Sequence, residues 1–437
     1  MKNLVGKKIV VTAGRLREDI DGVRHFANHR RLENQGYAVA SKLAAQGADV
    51  TVIAPKNALV PPAGCRLIQQ LADGSALLSG RDLMQVVDSF VSNNPCDAVL
   101  CFASIASIRP AERAEHKLKI KGAENTAVSL AVVGNVDVAA RAQRWDVSAL
   151  GYNSRQELFS AFLIPKWLSK GMEAALDRRV VAYPTAPLET GEDFFEGAEQ
   201  NLKHKKVILT SGPTEELITT AGDVITNFST GRQGYELALA FAHAGAKVIY
   251  VVGPTSFPPP LHKHIQVVRT TSAKSMLAAC EAHLPADIFV GVAAVADFGC
   301  KKPFSLELAE KQRYDLVLNQ NPDILATMGH HPRQRPDLVV GFAAETDPEK
   351  ILDYAKGKLA SKNADLICAN LVGNKRGHSG SENQIMFVPR GGEPRPLAIM
   401  SKRKAAGEIL QEVAAHFPAA NKAITKPFRD PSNLAHT

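Results

Sequence analysis

The sequence lacks the features that mark membrane, secreted and redox proteins. It contains no run of about 18 apolar residues, which a membrane-spanning helix would need. Its N-terminus has no apolar signal-peptide core. The six cysteines show no Cys-x-x-Cys spacing, and most of them lie in apolar runs, as reduced core residues do. These absences predict a soluble cytoplasmic protein with no membrane partner.

Familiar nucleotide and nucleic-acid motifs are also missing. There is no Walker A pattern, and no glycine fingerprint of dinucleotide binders lies near Thr12 or Thr210. The net charge of +8 is scattered without an RNP, zinc-finger or Lys/Arg-tract pattern, so basic clefts for phosphorylated small molecules explain it equally well. We therefore expect no nucleic-acid partner. Tyr354 and Lys358 fit the Tyr-x-x-x-Lys pair of short-chain dehydrogenases, but without the fingerprint a nicotinamide-dependent reductase is a secondary alternative.

The sequence does contain a repeated order of strand-like and helix-like segments. Five landmarks in the N-terminal part return about 186 to 198 residues later. The pairs are Lys8-Ile-Val-Val-Thr-Ala-Gly14 with Lys206-Val-Ile-Leu-Thr-Ser-Gly212, Gln35-Gly-Tyr37 with Gln233-Gly-Tyr235, Gly47-Ala48 with Gly245-Ala246, Asp97-Ala-Val-Leu100 with Asp287-Ile-Phe-Val290, and Asn135-Val-Asp-Val-Ala-Ala140 with Asn321-Pro-Asp-Ile-Leu-Ala326. Five landmarks in one order indicate an internal duplication of one α/β unit.

The repeat divides the chain, which is long enough for two or three domains. Residues 1–145 are the first unit and residues 205–416 the second unit. Between them, 146–204 is predicted to be a helical connector or partner surface with a linker, and 417–437 a disordered tail. Strands alternating with helices predict an α/β, Rossmann-like, mostly parallel sheet with helices on both faces in each unit. Both units contain an Asn-x-Asp landmark, at Asn135 and at Asn321, and only the second unit is expected to continue past it.

The stretch Asn227-Phe-Ser-Thr-Gly-Arg-Gln-Gly234 joins a strand-like run to an amphipathic helix. A hydroxyl pair followed by two glycines at a helix start suits an anion, because backbone N–H groups and the positive end of the helix dipole point at the ligand. Glycine also lets the ligand approach the backbone closely. The alternative is an ordinary Ser or Thr N-cap, which is the commoner use of such residues.

The second unit resembles the phosphopantothenate–cysteine ligase family of coenzyme A biosynthesis over about residues 206–390. Seven motifs carry the resemblance in order. They are Thr210-Ser-Gly-Pro-Thr-Glu215, Asn227-Phe-Ser-Thr-Gly-Arg-Gln-Gly234, Gly291-Val-Ala-Ala-Val-Ala-Asp-Phe298, Glu310-Lys311, Asn321-Pro-Asp-Ile-Leu325, Val340-Gly-Phe-Ala-Ala-Glu-Thr346 and Lys358-Leu-Ala-Ser-Lys-Asn363, and Asn370 and Asn383 also fall in place. Each motif is weak alone, but seven in order are specific.

The resemblance implies a nucleotide-dependent ligase. In the family, a nucleoside triphosphate activates the carboxylate of 4′-phosphopantothenate as an acyl-nucleotide, and the cysteine amine then attacks that mixed anhydride. Mg²⁺ with CTP or ATP is the implied cofactor set, and the chemistry depends on positioning and electrostatics more than on a protein nucleophile. Many bacterial members are fused to a flavin-dependent decarboxylase. This sequence shows no flavin domain, so a separate decarboxylase is a candidate partner.

The family pattern implies roles for individual residues of the second unit. Asn227 would hold the acyl-nucleotide, and Lys311 on a mobile flap would cover the phosphates. The residues implied in substrate and nucleotide binding are Gly212, Ser229, Thr230, Gly231, Gly234, Ala293, Asp297, Asn321, Pro322, Asp323, Ile324, Phe342, Lys358 and Lys362. Ordinary explanations compete: Asn321-Pro322 also fits an N-cap with proline at N1, and the two lysines also fit a solvated helix face. No metal held by protein ligands is predicted.

The first unit departs from the family pattern at its counterpart of this site. It has Arg30-Arg-Leu-Glu33 where the second unit has Ser229-Thr-Gly231, and Ser107 where the second has Asp297. It also lacks a recognisable Gly-Phe-Ala-Ala-Glu-Thr stretch. We therefore expect the first unit to have lost its own active site.

The first unit keeps one family feature that the second lacks. The family has an arginine four residues before the central asparagine, where the second unit has Asp223 and the first has Arg24. Because family members are dimers with sites near the subunit interface, we expect an intramolecular pseudo-dimer or a homo-oligomer. Arg24, with Lys119 or Lys121, would then serve the single site. The alternative function is a non-catalytic binding or regulatory module in which Asp223 blocks chemistry.

Overall fold

The protein is described by a computed structural model. The structure describes residues 4–29, 33–56, 61–115, 127–138, 148–152, 158–160, 202–255, 258–305, 308–345, 347–372 and 382–417. Within these ranges, no helix is both long and apolar enough to cross a membrane. The expected disordered tail and most of the expected connector lie outside the described residues, as do Lys119 and Lys121.

The first unit is built on a six-stranded sheet. Its elements are β1 (Lys8–Thr12), β2 (Glu18–Asp19), β3 (Arg24–Asn28), α1 (Glu33–Ala45), β4 (Asp49–Ile53), β5 (Cys65–Ile68), α2 (Gly80–Asn93), β6 (Ala98–Cys101), β7 (Ile108–Pro110), β8 (Ala127–Gly134), β9 (Ser148–Tyr152) and β10 (Leu158–Ser160). The sheet order is β10-β9-β6-β1-β4-β5, and every pair except β10 with β9 is parallel.

The second unit is built on an eight-stranded sheet. Its elements are β11 (Lys206–Ser211), β12 (Glu215–Leu217), β13 (Asp223–Asn227), α3 (Arg232–His243), β14 (Lys247–Val252), β15 (Ile265–Arg269), α4 (Ala273–Glu281), β16 (Ile288–Gly291), β17 (Phe298–Gly299), β18 (Arg313–Gln320), α5 (Ile324–Gly329), β19 (Leu338–Glu345), α6 (Ile351–Ser361), β20 (Leu366–Leu371), β21 (Glu382–Asn383), β22 (Ile385–Pro389), β23 (Arg395–Pro396), β24 (Met400–Ser401) and α7 (Lys402–Ala414). The order is β15-β14-β11-β16-β19-β20-β22-β23, parallel from β15 to β20. The predicted α/β fold with mostly parallel sheets is confirmed.

Five strands occupy matching positions in the two sheets: β5-β4-β1-β6-β9 in the first unit and β15-β14-β11-β16-β19 in the second. Gly151 of β9 pairs with Cys101, just as Gly341 of β19 pairs with Gly291. The first unit therefore continues past residue 145, and the expectation that only the second unit does so is wrong at this strand. The sequence hides β9 because it is short and shares little beyond Gly151-Tyr152 with Gly341-Phe342.

The strands β9 and β10 also change the expected connector. Both lie within 146–204, the segment that was expected to form a helical connector. The backbone of this part continues the first sheet by a parallel strand and then an antiparallel one. The described start of the segment is therefore β-structure of the first unit, not a helix.

Alternate residues of the second sheet pack into two separate clusters, as the two-residue period of a strand requires. Val207 and Leu209 of β11 pack with residues of α3 and α7. Ile208, between them, packs with residues of α4, α5 and α6. Such strands read as continuous apolar runs, which is why they were recognisable from the sequence.

Two further sheets each contain two strands from the first unit and two from the second. One has the order β12-β13-β3-β2, and the other β17-β18-β8-β7; all their pairings are antiparallel. In the first, Arg24 lies opposite Asn227, and Asn28 lies opposite Asp223. The units are thus joined by continuous β-pairing with approximate two-fold character.

Candidate active site

A cleft opens at the carboxyl ends of β11, β16, β19 and β20 in the second unit. We call it the candidate cleft; it contains about 1550 Å³ of empty space. The chain runs from β11 to β14 on one side and places β16 on the other, so the cleft lies where the strand order reverses. Ligands of open parallel sheets bind at this edge.

The candidate cleft is lined by most of the residues that the sequence singled out. The structure brings together Gly212, Asn227, Ser229, Thr230, Gly231, Gly234, Ala293, Asp297, Asn321, Pro322, Asp323, Ile324, Phe342, Lys358 and Lys362. They come from six segments that are far apart in the chain.

Helix α3 begins at the candidate cleft without a side-chain cap. Its N-cap is Gly231, which has a left-handed φ of 74° and makes no side-chain cap hydrogen bond. The hydroxyls of Ser229 and Thr230 instead accept hydrogen bonds from the backbone N–H of Gly231 and Arg232, each at 3.3 Å. The alternative of an ordinary Ser or Thr N-cap is therefore wrong. By contrast, α2 and α4 are closed by capping boxes at Ser79 and Ser272.

Close packing explains the second glycine of the stretch. A Cβ at Gly234 would lie 2.2 Å from the hydroxyl oxygen of Ser211. That hydroxyl donates to the carbonyl of Gly231 at 3.2 Å and accepts from the phenol of Tyr250 at 2.9 Å. Burial raises the pKa of Tyr250 to about 12, so the phenol keeps its proton and holds the loop from beneath.

Asn227 stands at the base of the candidate cleft. Its side-chain N–H groups donate to the carbonyls of Val295 at 2.8 Å and Ala294 at 3.4 Å. Its side-chain oxygen is buried and has no hydrogen-bond partner among the described residues. A buried acceptor left unsatisfied is costly, so this oxygen is a natural contact for a donor on a ligand.

Asp297 and residues 320–324 form part of the rim of the candidate cleft. Asn321 donates from its backbone N–H to the carbonyl of Asp297 and from its side chain to the carbonyl of Ala296, both at 2.8 Å. The N-cap of α5 is Asp323, not the expected Asn321, since the Asp323 carboxylate accepts from the N–H of Ala326 at 2.8 Å.

The two lysines of α6 are held by carboxylates at the edge of the candidate cleft. Lys358 pairs with Glu345 at 2.9 Å, and Lys362 pairs with Asp323 at 2.6 Å. Phe342, on β19, lines the same wall. The lysines are therefore positioned side chains rather than a freely solvated face.

The first unit reaches this site through Val23 and Arg24. Val23 lines the candidate cleft, and its carbonyl accepts the N–H of Phe228 at 3.0 Å. The buried guanidinium of Arg24 forms ion pairs with Asp21 at 3.1 Å and with Asp297, and lies 5.5 Å from the ring of Phe298. Arg24 thus spans from the first unit to a cleft residue of the second.

Asp223 lies elsewhere than the sequence suggested. It is fully buried, does not line the candidate cleft, and accepts hydrogen bonds from both the hydroxyl and the N–H of Ser107. Thr219 adds a further hydroxyl donor at 2.9 Å. Asp223 was expected to place a negative charge beside the stretch 227–234 and so to block chemistry there. That expectation is wrong, because β13 directs this side chain toward the first unit.

Lys311 is not among the residues that line the candidate cleft. It is an exposed turn residue with φ of 70° just before β18, and its N–H lies 3.4 Å from the carbonyl of Gly134 in the first unit. The structure therefore does not bring Lys311 to the other predicted residues.

The structure adds a lysine that the sequence analysis missed. Lys402, the first residue of α7, lines the candidate cleft although it is 5% exposed. Burial, and then the nearby Arg232, lower its pKa to about 8. Its only sequence signal was its place after the N-cap Ser401, which is common to many helices.

A chain of side-chain amides leads from Lys402 along the candidate cleft. Gln233 donates to the carbonyl of Lys402 at 3.2 Å and accepts from Asn383 at 2.6 Å. Asn383 in turn accepts from Asn370 at 3.3 Å. Asn370 and Asn383 were motif positions, and Gln233, which contacts Asn383, ties the last helix to the start of α3.

Comparison with known proteins identifies the family. The family model described as the DNA/pantothenate metabolism flavoprotein C-terminal domain matches residues 4–151 and 202–417. The chain belongs to this family. The match covers both units and extends through β9, in agreement with the position of that strand in the first sheet.

Curated relatives match at the level of one unit. The coenzyme A biosynthesis bifunctional protein CoaBC of Haemophilus influenzae is 35% identical over 223 residues, 51% of this chain and 54% of that protein. The Bacillus subtilis protein of the same name is 38% identical over 224 residues, with the same coverage. The chain thus spans about half the length of these relatives. A crystal structure of the C-terminal domain of CoaBC is 34% identical, covers 50% of this chain and 98% of that domain, and has a TM-score of 0.42.

Proposed function

We propose that the chain is a ligase of coenzyme A biosynthesis that joins 4′-phosphopantothenate and cysteine through an acyl-nucleotide. One observation carries the proposal: the uncapped start of α3 lies beside the unsatisfied oxygen of Asn227 in one cleft. An open helix start suits a phosphate, and the amide oxygen suits an N–H of the substrate. The relatives named CoaBC support the same activity.

The reaction we propose has two displacements. A carboxylate oxygen of phosphopantothenate attacks the α-phosphorus of the nucleotide, and pyrophosphate leaves. The cysteine amine then attacks the acyl carbon, the nucleoside monophosphate leaves, and the amine loses a proton. The residues of the candidate cleft would act by orienting both substrates and by offsetting phosphate charge. Lys358, Lys362 and Lys402 supply positive charge around it.

We propose that Mg²⁺ enters with the nucleotide as part of the substrate. The described residues contain no group of three His, Cys, Asp or Glu side chains that could hold a metal. The carboxylates of Asp297 and Asp323 at the rim are partly exposed, which fits one or two carboxylates completing the shell of a phosphate-bound Mg²⁺. The nucleotide is CTP or ATP, and an assay with each one separately distinguishes them.

We infer that the chain arose by duplication and works as an intramolecular pseudo-dimer with one active site. The matching strand orders and the two shared sheets support this. Arg24 would be lent by the first unit, since it bridges to Asp297 at the rim. Lys311 would serve the phosphates only if its turn moves, and Lys119 and Lys121 lie outside the described residues. Because the chain spans about half the length of the bifunctional relatives, we keep a separate decarboxylase as the proposed partner.

The test is a pyrophosphate-release assay with phosphopantothenate, cysteine and Mg²⁺, run separately with CTP and with ATP. We expect release that requires phosphopantothenate and one of the two nucleotides. Release with neither nucleotide, in protein whose thermal transition is intact, would favour the binding or regulatory module instead. The burial of Asp223 against Ser107 removes the main reason for that alternative.

A further inference from the structure

A second cleft in the first unit is rich in arginine. It lies between β2, the first turn of α2 and β7, and contains about 700 Å³ of empty space. Arg17, Arg81, Arg109 and Arg113 line it, and we call it the arginine cleft. None of its lining residues also lines the candidate cleft, so any ligand would occupy a separate site.

The carboxylates in the arginine cleft are bound to other groups. Glu18 accepts from the N–H of Gly80 and from the side chain of Asn135, both at 2.8 Å. Asp82 accepts from the N–H of Ser79 at 2.8 Å and closes the α2 capping box. Asp19 lies 3.2 Å from Arg17 and 3.7 Å from Arg113. The cleft therefore holds four guanidiniums and three carboxylates. Two of the carboxylates, those of Glu18 and Asp82, accept hydrogen bonds at the start of α2.

Arg81 and Arg109 have no carboxylate partner within 4 Å in the described part of the chain. Arg109 donates to the carbonyl of Pro110 at 3.3 Å. Burial, and then the positive charge of Arg81, lower the pKa of Arg109. The carboxylates of Glu18 and Glu310 act in the opposite direction on the pKa of Arg109. An oxyanion between Arg81 and Arg109 would be attracted by both guanidiniums.

The pair of Arg17 and Asp19 is also incomplete. The Nε of Arg17 and the Oδ1 of Asp19 are buried, and neither has a hydrogen-bond partner among the described residues although they are 3.2 Å apart. Their distance is short enough for attraction, but their geometry is not that of a hydrogen bond. The ring of Phe228 lies 4.5 Å from the Arg17 guanidinium and helps to fix its position.

The second unit does not carry these arginines at the equivalent place. The positions of Arg17, Arg81 and Arg109 correspond to Glu215, Lys274 and Gly299. Glu18 and Glu216 are equivalent, and each accepts from the first N–H of a helix. A Cβ at Gly299 would lie 3.0 Å from the Glu216 Cβ, so a larger side chain there would meet Glu216. The cluster of arginines is therefore specific to the first unit.

We propose that the arginine cleft binds a small molecule through a phosphate or pyrophosphate group. Guanidinium groups present paired N–H donors that match phosphate oxygens. A tetrahedral, multiply charged group between Arg81 and Arg109 would neutralise both and could also accept from Arg17. A carboxylate offers only two acceptor oxygens, whereas a phosphate group offers three that can contact several guanidiniums at once.

The experiment is titration calorimetry on the full chain with inorganic pyrophosphate. A Lys358→Gln/Lys362→Gln background weakens binding at the candidate cleft, and Arg81→Gln/Arg109→Gln is compared with the matched control Lys274→Gln. We expect Arg81→Gln/Arg109→Gln to weaken pyrophosphate binding at least about tenfold, since it removes charge-assisted hydrogen bonds to the ligand. The control should bind like its background. The proposal would be overturned if Arg81→Gln/Arg109→Gln and Lys274→Gln bound pyrophosphate equally well, or if both lost the same affinity.

Parallel titrations with inorganic phosphate and with a phosphate monoester separate the possible sources of the ligand. Affinity in the order pyrophosphate, monoester, phosphate indicates a multiply charged ligand. Because Arg81 is exposed, the single variant Arg81→Gln provides a folded check, and it should weaken pyrophosphate binding by a smaller factor. Ligase turnover does not enter this test, so its failure would leave the proposed function untouched.

Discussion

The two units meet with opposite chemistry at equivalent positions. Arg24 of the first unit pairs with Asp297 of the second, whereas Asp223 of the second accepts hydrogen bonds from Ser107 of the first. Antiparallel pairing of β3 with β13 causes this crossing, because each strand sends its early residue toward the other unit. The strand pair therefore has an ion pair to Asp297, a residue of the candidate cleft, at one end and a carboxylate–hydroxyl pair at the other.

The difference shows that the two halves of a paired fold can differ at equivalent positions without adding a negative charge to the candidate cleft. Asp223 of the second unit would add one only if its side chain faced the stretch 227–234. It is instead buried against Ser107, the counterpart of Asp297 in the first unit. The first unit contacts Asp297 through Arg24 and lines the candidate cleft with Val23.

The largest expected effect separates the two equivalent asparagines. Asn227→Ala should lower turnover about 10²–10³-fold, as removal of a positioned polar group in a transition-state site does, with a modest change in the thermal transition. Asn28→Ala, its counterpart at the other end of the strand pair, should retain turnover in the folded protein. Steady-state pyrophosphate release and thermal unfolding measure both. Equal losses of turnover would show that the asymmetry of the two ends is irrelevant to function.

Arg24→Ala should raise KM for phosphopantothenate about 10–100-fold. It should also destabilise the protein by roughly 3–5 kcal/mol, because it leaves the buried Asp21 without its partner. The matched control is Arg15→Ala, which breaks another ion pair between the units, to Glu215 at 2.7 Å, outside the candidate cleft. The control should lower stability without the KM effect. Unchanged KM in folded Arg24→Ala would refute the lending of this residue.

Lys402 predicts a pH dependence of binding. Its lowered pKa of about 8 means that the free protein loses this charge as pH rises through 8, far below the ordinary 10.5. Nucleotide affinity should therefore fall by up to about tenfold per pH unit above 8. In Lys402→Met this fall in nucleotide affinity above pH 8 should disappear. The exposed Lys404 on the same helix is the control, and Lys404→Met should keep the wild-type profile in fluorescence or calorimetric titrations.

The same lysine predicts the opposite trend for stability. Between pH 8 and 10.5 the unfolded chain binds a proton at Lys402 that the folded chain does not. The free energy of unfolding should therefore rise with pH across this window relative to Lys402→Met. Chemical denaturation at pH 7.5 and 9.5 measures the difference. A flat difference between the two proteins would contradict the lowered pKa.

The smallest effect on activity is expected at Asp223. Asp223→Asn places an amide N–H₂ where the donors of Ser107 and Thr219 now point, which should cost about 1–3 kcal/mol of stability. Turnover of the folded variant should stay within about twofold of wild type. Denaturant unfolding and the pyrophosphate assay test the two statements together. A large loss of turnover would place Asp223 back in the machinery of the site.

Local pattern was enough to predict the sheet strands, and the resemblance to the ligase family predicted most residues of the candidate cleft. The apolar run before Gly212, the glycines of the phosphate loop and the ordered motifs all describe neighbouring residues, so their structure follows from nearby backbone and packing preferences. Strand β9 escaped because five residues with one glycine carry little pattern. Lys311 was placed by analogy along the chain, and the turn before β18 directs it toward the first unit instead.

The sequence by itself predicted two similar α/β units, one of which has a glycine-rich helix start. Only the tertiary structure decided which residues cross between the units. The antiparallel register brings Arg24 to Asp297, 273 positions away, and turns Asp223 toward Ser107. Packing of α7 against α3 brings Lys402 to the same cleft. Such contacts depend on register and packing between distant segments, which no short stretch of sequence encodes.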